Sequence, residues 1–428
     1  MLTITDARVV IDTNAEPVDC EILIDGNRIK AIKKDFLPGE KENVICARGQ
    51  LILPGFIDVH AHILDPLIPA SNFANASEMA LRGGVTTILE MPTSKPTMCA
   101  AAVNEKVKRA SKESIVDFAF HAGNMAAEYL GSVKELKGIV TGVKGFMCAP
   151  YALGIDELRQ FIAESNRNGL LPMLHCEDEM TVQNETRKYL SLHNPEIYPL
   201  SRPAIAEKIA IENVSSVVRE NEHLHIVHVS SRAGVDALKN AKNRCKNISA
   251  EACPHHLILT ADKMHTPKLK MNPPLRTADD CTALWSALNV GTIDFVATDH
   301  FYVDADEKER DIWSAPAGVP GLEALCPAMF TYGVKKMGIS LFRFVQITSG
   351  MQARRFGLMH KGAIAPGMDA DMLIVNTRDT KRFKSKFWSP YEGMEFSGYP
   401  ETVILRGKVV YADGQVLEKP GYGKYLRA

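Results

Sequence analysis

The middle of this 428-residue chain alternates short apolar runs with helix-period patterns, and that alternation limits the fold more than any other feature. Strand-like runs fall at Phe56–Val59, Val85–Met91, Ile115–His121, Gly142–Phe146, Leu170–His175, His223–His228, Asn247–Ala250 and Asp294–Thr298. Helical patterns lie between them at Asn75–Arg82, Ala101–Ala110, Ile155–Asn168, Ile205–Arg219, Gly234–Asn243 and Ala278–Leu288. Eight such units over about 250 residues predict an α/β fold of the (β/α)8, or TIM-barrel, type.

Both ends differ from the middle. Thr3–Ile11, Glu21–Ile32 and Val44–Ala47 read as β segments broken by turn residues such as Asp25-Gly26-Asn27. Asp371–Asn376, Thr402–Leu405 and Val409–Ala412 are strand-like again, with turns at Arg406-Gly407 and Asp413-Gly414. Chain ends of a compact unit often meet. The ends are therefore expected to form one small β-sandwich domain from residues 1–53 and 361–428, around a barrel of residues 54–360.

Composition excludes several function classes. A net charge of −1 argues against a nucleic-acid surface or a polybasic membrane contact. No apolar run approaches the roughly 20 residues of a membrane span, and nothing resembles a signal peptide. Nine cysteines without a CxxC pair fit reduced thiols in a cytoplasmic protein. Cys148, Cys176 and Cys253 read as small apolar packers.

Chemistry concentrates where strands end, which is where such barrels carry it. Residues 52–62, Ile-Leu-Pro-Gly-Phe-Ile-Asp-Val-His-Ala-His, close the first strand with two histidines. Side chains at i and i+2 of a strand share a face, so His60 and His62 project together as half of a metal site. Lys144 lies near the end of the fourth strand, and His175, His228 and Asp299 end the fifth, sixth and eighth. Singly, each has a structural alternative: a hydrogen-bonded core histidine, an ion-paired lysine, a helix cap. Together they would bury six polar groups around one barrel mouth, at several kcal/mol each if unpaired, and a shared metal centre satisfies them all. A buried lysine loses its charge readily. Its neutral amine can take up carbon dioxide as a carbamate and bridge two ions at roughly 3.5–4 Å.

These segments resemble the amidohydrolase superfamily, in its dihydroorotase, hydantoinase and allantoinase branch, and most closely the dihydroorotases. The matches include Pro54–His62, Gly83–Thr87, Ser201–Glu207, His225–Ser231, Glu251–His256, Lys270–Arg276, Ala297–His300, Pro316–Glu323, Gly362–Asp371 and Ser389–Gly393. The resemblance implies a metal-dependent enzyme that opens a cyclic amide or imide. His60, His62 and Asp299 would hold one divalent ion, most simply zinc, and His175 and His228 a second, with carbamylated Lys144 bridging. Asp299 would take the proton of the attacking hydroxide and deliver it to the leaving nitrogen. A homodimer or homotetramer is also implied.

The substrate pattern is mixed. Asn272, with backbone groups at Ala317 and Gly318, matches positions that read the substrate ring in dihydroorotases. The carboxylate-binding positions depart: Leu64 replaces an arginine, Thr93 an asparagine, and Phe301-Tyr302-Val303 an Ala-Pro-His. A ring carboxylate favours a bidentate arginine, so an uncharged hydantoin or dihydropyrimidine is expected, with Tyr151 also contributing apolar surface. The hydantoinase pattern is incomplete too, because its tyrosine five residues beyond the bridging lysine is Ala149. Arg202, Arg276 and Lys95 read as structural, though any could supply a cation. Alternatives are a genuine dihydroorotase, an allantoinase, a hydrolase of acyclic N-acyl or N-carbamoyl amino acids, or a non-catalytic scaffold on the same fold. The charged run Asp304–Asp311 reads as a solvated loop, or a lid over the site.

Overall fold

A computed structural model describes residues 1–11, 16–37, 43–64, 68–92 and 95–427. The N-terminal strands are β1 (Leu2–Val9), β2 (Val18–Asp25), β3 (Arg28–Lys33) and β4 (Val44–Pro54). The central strands are β5 (Phe56–His62), β6 (Val85–Glu90), β7 (Asp117–Phe120), β8 (Ala122–Gly123), β9 (Gly142–Phe146), β10 (Leu171–His175), β11 (Leu224–Ile226), β12 (Ile248–Ala252), β13 (Phe295–Val296) and β14 (His300–Phe301). β15 (Met372–Asn376), β16 (Lys381–Arg382), β17 (Glu395–Phe396), β18 (Tyr399–Leu405), β19 (Lys408–Ala412) and β20 (Gln415–Val416) follow.

The central strands form two parallel sheets, β14-β5-β6-β7 and β13-β12-β11-β10-β9-β8. β7 and β8 are one stave interrupted at His121, and β13 and β14 are another. The sheets therefore join into the expected eight-stave barrel. Closure runs through β14 and β5, where His300 pairs with Ala61 and Phe301 with His62. These strands form because their residues are buried on both faces: β6 (VTTILE), β7 (DFAF) and β10 (LPMLH) have no exposed position. Helices 73–82, 100–113, 155–167, 204–217, 232–244 and 278–290 cover the outside, each within a few residues of its sequence pattern.

Both chain ends enter one eight-stranded sheet, ordered β20-β19-β18-β15-β4-β1-β2-β3. β15, near the C-terminus, pairs antiparallel with β4, near the N-terminus. The named turns are where the chain reverses. Arg406-Gly407 and Asp413-Gly414 have φ of 49°, 76°, 49° and 80°, the positive pair that tight hairpins need. Ile4, Val9, Ile22, Ile24, Ile52, Met372, Ile374 and Ile404 form this sheet's own core.

Three features go beyond the sequence pattern. Two helical segments, 325–336 and 341–355, with π turns at 330–336 and 346–350, follow the eighth stave. Pro327, Gly333 and Gly350 interrupt their periodicity. The segment 381–396 folds back so that Trp388 Nε1 donates to Val303 O at 2.5 Å. The final residues leave the terminal sheet and extend the barrel wall, with Phe118 N–H donating to Lys424 O (2.9 Å) and Leu426 N–H to Phe118 O (2.8 Å). Among the described residues, no helix is long and apolar enough to cross a membrane.

Candidate metal centre

The ends of the barrel staves bring His60, His62, Lys144, His175, His228 and Asp299 to the wall of one cavity of about 480 Å³. His60 and His62 leave β5 on the same face, with ring centroids 5.1 Å apart. His228 and Asp299 follow β11 and β13 with φ of 38° and 48°. Non-glycine residues rarely adopt that conformation, and it costs about 1–3 kcal/mol where it occurs. It turns both side chains inward at the rim.

Hydrogen bonds fix which imidazole nitrogen faces the cavity. His62 Nδ1 lies 3.0 Å from Met91 O; a carbonyl only accepts, so Nδ1 carries the proton and Nε2 the free lone pair. Likewise His60 Nδ1 meets Glu251 Oε1 at 2.5 Å, and His175 Nε2 meets Glu177 Oε2 at 2.7 Å. The remaining nitrogens converge. His60 Nε2 and His62 Nε2 each lie 3.1 Å from Asp299 Oδ1, and His175 Nδ1 lies 3.0 Å from His228 Nε2. His60 Nε2 is buried without a hydrogen-bond partner among the described residues. A buried bare lone pair aimed at a carboxylate and a second bare imidazole fits a cation, with three protein ligands in the manner of catalytic zinc. His60, His62 and Asp299 can hold one ion, and His175 with His228 offers the neighbouring pair.

Neighbouring charges and hydrogen bonds overcome burial at His175, Glu177, Glu251 and Asp299, whereas His60, His228 and Lys144 are governed by burial. Burial lowers the pKa of His60 and drives that of His228 far below the usual imidazole range, keeping both neutral as ligands. Lys144 is 1% exposed, and burial pulls its pKa down to about 8 against the opposing pull of Asp299 and Glu251. Its Nζ stands over the Phe146 ring, 5.0 Å from the centroid, and it makes no ion pair among the described residues. β9 can carry this side chain because its neighbour is Gly123, where a Cβ would come within 2.7 Å of Lys144 Cβ.

Several groups here were not singled out in the sequence. Glu251 accepts from His60 with one oxygen and from His225 Nε2 (3.0 Å) with the other. His225 in turn meets Ser249 Oγ at 2.9 Å. Glu177 is held by Arg202, whose Nε lies 3.1 Å and Nη2 2.5 Å from Glu177 Oε2. Asp58 accepts from Thr298 N–H (3.0 Å) and the Thr298 hydroxyl, tying the first stave to the eighth. Burial raises its pKa to about 7. For Asp58, His225 and Glu251 the available signal was the one that revealed the histidines: a polar residue inside an apolar strand.

Of the substrate positions, Asn272, Ala317 and Gly318 line the cavity. Asn272 Oδ1 accepts from the Tyr198 hydroxyl at 2.6 Å, which leaves its amide N–H groups for a ligand. Leu64 packs in the barrel core and does not line the cavity. Thr93 lies outside the described residues. Phe301 and Tyr151 form cavity wall, whereas Tyr302 turns away onto Phe387 at 5.3 Å between ring centroids. Arg202 does reach the cavity, but Arg276 is buried on Arg202 O and Ser230 Oγ. Lys95 is exposed and lines no part of it. Cys148 is more than a packer: it lines the cavity and accepts from Arg202 Nη2 at 3.4 Å.

The amidohydrolase family model matches residues 51–410. A dihydroorotase from Methanosarcina acetivorans is 32% identical over 99% of this chain and 94% of its own length. An L-hydantoinase from Paenarthrobacter aurescens is 32% identical over 95% of this chain and 94% of its own. Among solved structures, the L-hydantoinase (dihydropyrimidinase) from Arthrobacter aurescens superposes with a TM-score of 0.93 at 29% identity, covering 100% of this chain and 99% of that one. The dihydropyrimidinase from Brevibacillus agri gives 0.92 at 27% identity, covering 99% and 98%. With this match over most of its length, the chain belongs to the amidohydrolase family.

Proposed function

We propose that the chain is a hydrolase that opens an uncharged cyclic amide, a hydantoin or dihydropyrimidine, at a centre of two divalent ions. His60, His62 and Asp299 would hold one ion and His175 and His228 the other, and Lys144, as a carbamate, would supply a further carboxylate-like ligand. Zinc suits this imidazole and carboxylate set. Residues 54–360 form the catalytic barrel, and residues 1–53 with 361–428 the supporting domain. Nine unpaired cysteines fit a cytoplasmic enzyme. A dimer or tetramer is the expected assembly.

One observation carries the substrate reading. Arg202, the one arginine in the cavity wall among the described residues, already has its charge matched by Glu177. Beside the metal-centre residues, Asn272 and Cys148, that wall carries Phe146, Tyr151, Phe301, Pro92, Pro150 and Pro316. Such a surface suits an uncharged ring with an apolar substituent.

Bound divalent ions supply Lewis acidity and make water a nucleophile near neutral pH. The protein's own groups do the rest. Asn272, locked by Tyr198, presents N–H donors to a ring carbonyl. Ala317, whose peptide groups have no partner among the described residues, offers a donor and an acceptor to the ring amide. Asp299 takes the proton released as the water oxygen bonds to the carbonyl carbon. It returns that proton to the ring nitrogen as the C–N bond breaks. The alternative of a dihydroorotase is favoured by Arg202 lying in the wall. Ring opening of hydantoin, dihydrouracil, dihydroorotate and allantoin, measured side by side on zinc-loaded protein, separates the two. Turnover confined to the uncharged rings supports the proposal; preferential turnover of dihydroorotate overturns it.

A further inference from the structure

Lys308 sits in the charged run Asp304–Asp311, among five carboxylates. It pairs with none of them among the described residues. It is 0% exposed, while Asp306, Glu307, Glu309 and Arg310 around it face solvent. Its ammonium is spent on three backbone carbonyls: Lys270 O at 2.9 Å, Pro316 O at 2.8 Å and Gly318 O at 2.8 Å. An ammonium has three N–H donors and no acceptor, so the group is fully matched. Burying it without a counter-ion is costly, and the run is a solvated loop anchored by this one inward-facing side chain.

The three carbonyls belong to the segments that form one side of the cavity. Lys270 precedes Asn272 by two residues, and Pro316 and Gly318 flank Ala317. A further bond, Gly318 N–H to Lys270 O at 2.9 Å, joins the same two segments. Gly318 has a φ of +117°, and a Cβ there would come within 2.7 Å of the Phe301 ring. With Gly318 committed in both peptide groups, Ala317 is left as the one that faces a ligand.

We propose that Lys308 is a positioning residue: it clamps Pro316–Gly318 to Lys270, and thereby sets the Ala317 peptide and Asn272 in register for ring binding. This rests on the reading of the cavity as a ring site. The clamp acts on ground-state binding, away from the metal ligands, so its loss raises KM more than it lowers kcat.

The test uses zinc-loaded, full-length Lys308→Met, which removes every donor, and Lys308→Gln, which keeps two. Metal content, KM and kcat on hydantoin and dihydrouracil are read beside amide hydrogen exchange at Gly318. The expected result is unchanged metal content, kcat within threefold, and KM raised at least tenfold in Lys308→Met and less in Lys308→Gln. Gly318 should exchange at least tenfold faster in both. An unchanged KM, or a fall in kcat at constant KM, overturns the clamp. If Lys308→Met does not fold, Lys308→Gln is judged by the same criteria. If the wild type opens no cyclic amide, the proposed function fails. Exchange at Gly318 then decides the clamp alone: faster exchange supports it and unchanged exchange overturns it.

Discussion

His60 and His225, on neighbouring parts of the barrel interior, share the carboxylate of Glu251, which lies 2.5 Å from His60 Nδ1 and 3.0 Å from His225 Nε2. The shared acid sets the tautomer of His60 and leaves Nε2 free for a ligand role. Partners of this kind orient metal-binding imidazoles and raise their basicity.

Glu251→Gln should therefore weaken metal retention by about 10- to 100-fold, though Glu251 touches no substrate. Dialysis against graded chelator, with metal read by atomic absorption, checks this. Retention equal to wild type would show that His60 needs no such partner.

Asp299→Asn should retain metal at the centre and lose about a hundred- to ten-thousand-fold in turnover, the size expected for a lost proton-transfer group. The amide keeps a ligating oxygen but cannot shuttle a proton. Wild-type-like kcat in that variant would remove Asp299 from its assigned role.

Lys144 must be a neutral amine to take up carbon dioxide. With its pKa pulled down to about 8 by burial, the neutral fraction falls roughly tenfold for each pH unit below that value. Reactivation of metal-stripped protein by zinc, at a dissolved carbon dioxide concentration held equal, should thus be roughly fiftyfold slower at pH 6 than at pH 8. Equal rates at the two pH values would contradict carbamate formation on Lys144 as the limiting step.

Lys361 joins the terminal sheet to the barrel floor. Its Nζ lies 2.6 Å from Asp371 Oδ2 and 2.9 Å from Asp117 Oδ2, and Arg406 also pairs with Asp117. All are buried. Lys361→Met leaves buried carboxylates short of a partner and should destabilise the protein by about 3–5 kcal/mol, seen as a lowered denaturant midpoint. A midpoint unchanged from wild type would show the network to be dispensable.

Much of this was legible in the sequence because strand ends carry the chemistry. An imidazole or ammonium inside an apolar run is conspicuous: His60, His175 and Lys144 stand out for that reason, and the structure brings them to one cavity. Leu64 shows the limit. Its register beside His62 suggested cavity wall, but the side chain packs into the buried core beyond the end of β5. Lys308 shows the converse. Nothing in a run of charges distinguishes the one side chain that folds inward, because its partners are carbonyls 8 to 38 residues away. Glu251 was hidden by belonging to a motif whose histidines drew attention first, and Glu177 lies in the loop just beyond the strand that ends at His175. The helical segments 325–336 and 341–355 were masked by their own proline and glycines.

The most direct measurement is a zinc titration of metal-stripped protein, following ring opening of dihydrouracil and hydantoin at each step. Activity should be absent without metal, rise with added zinc, and level off at two ions per chain. Turnover by the stripped protein, or no turnover of either ring at full loading, would contradict a two-ion centre built to open an uncharged cyclic amide.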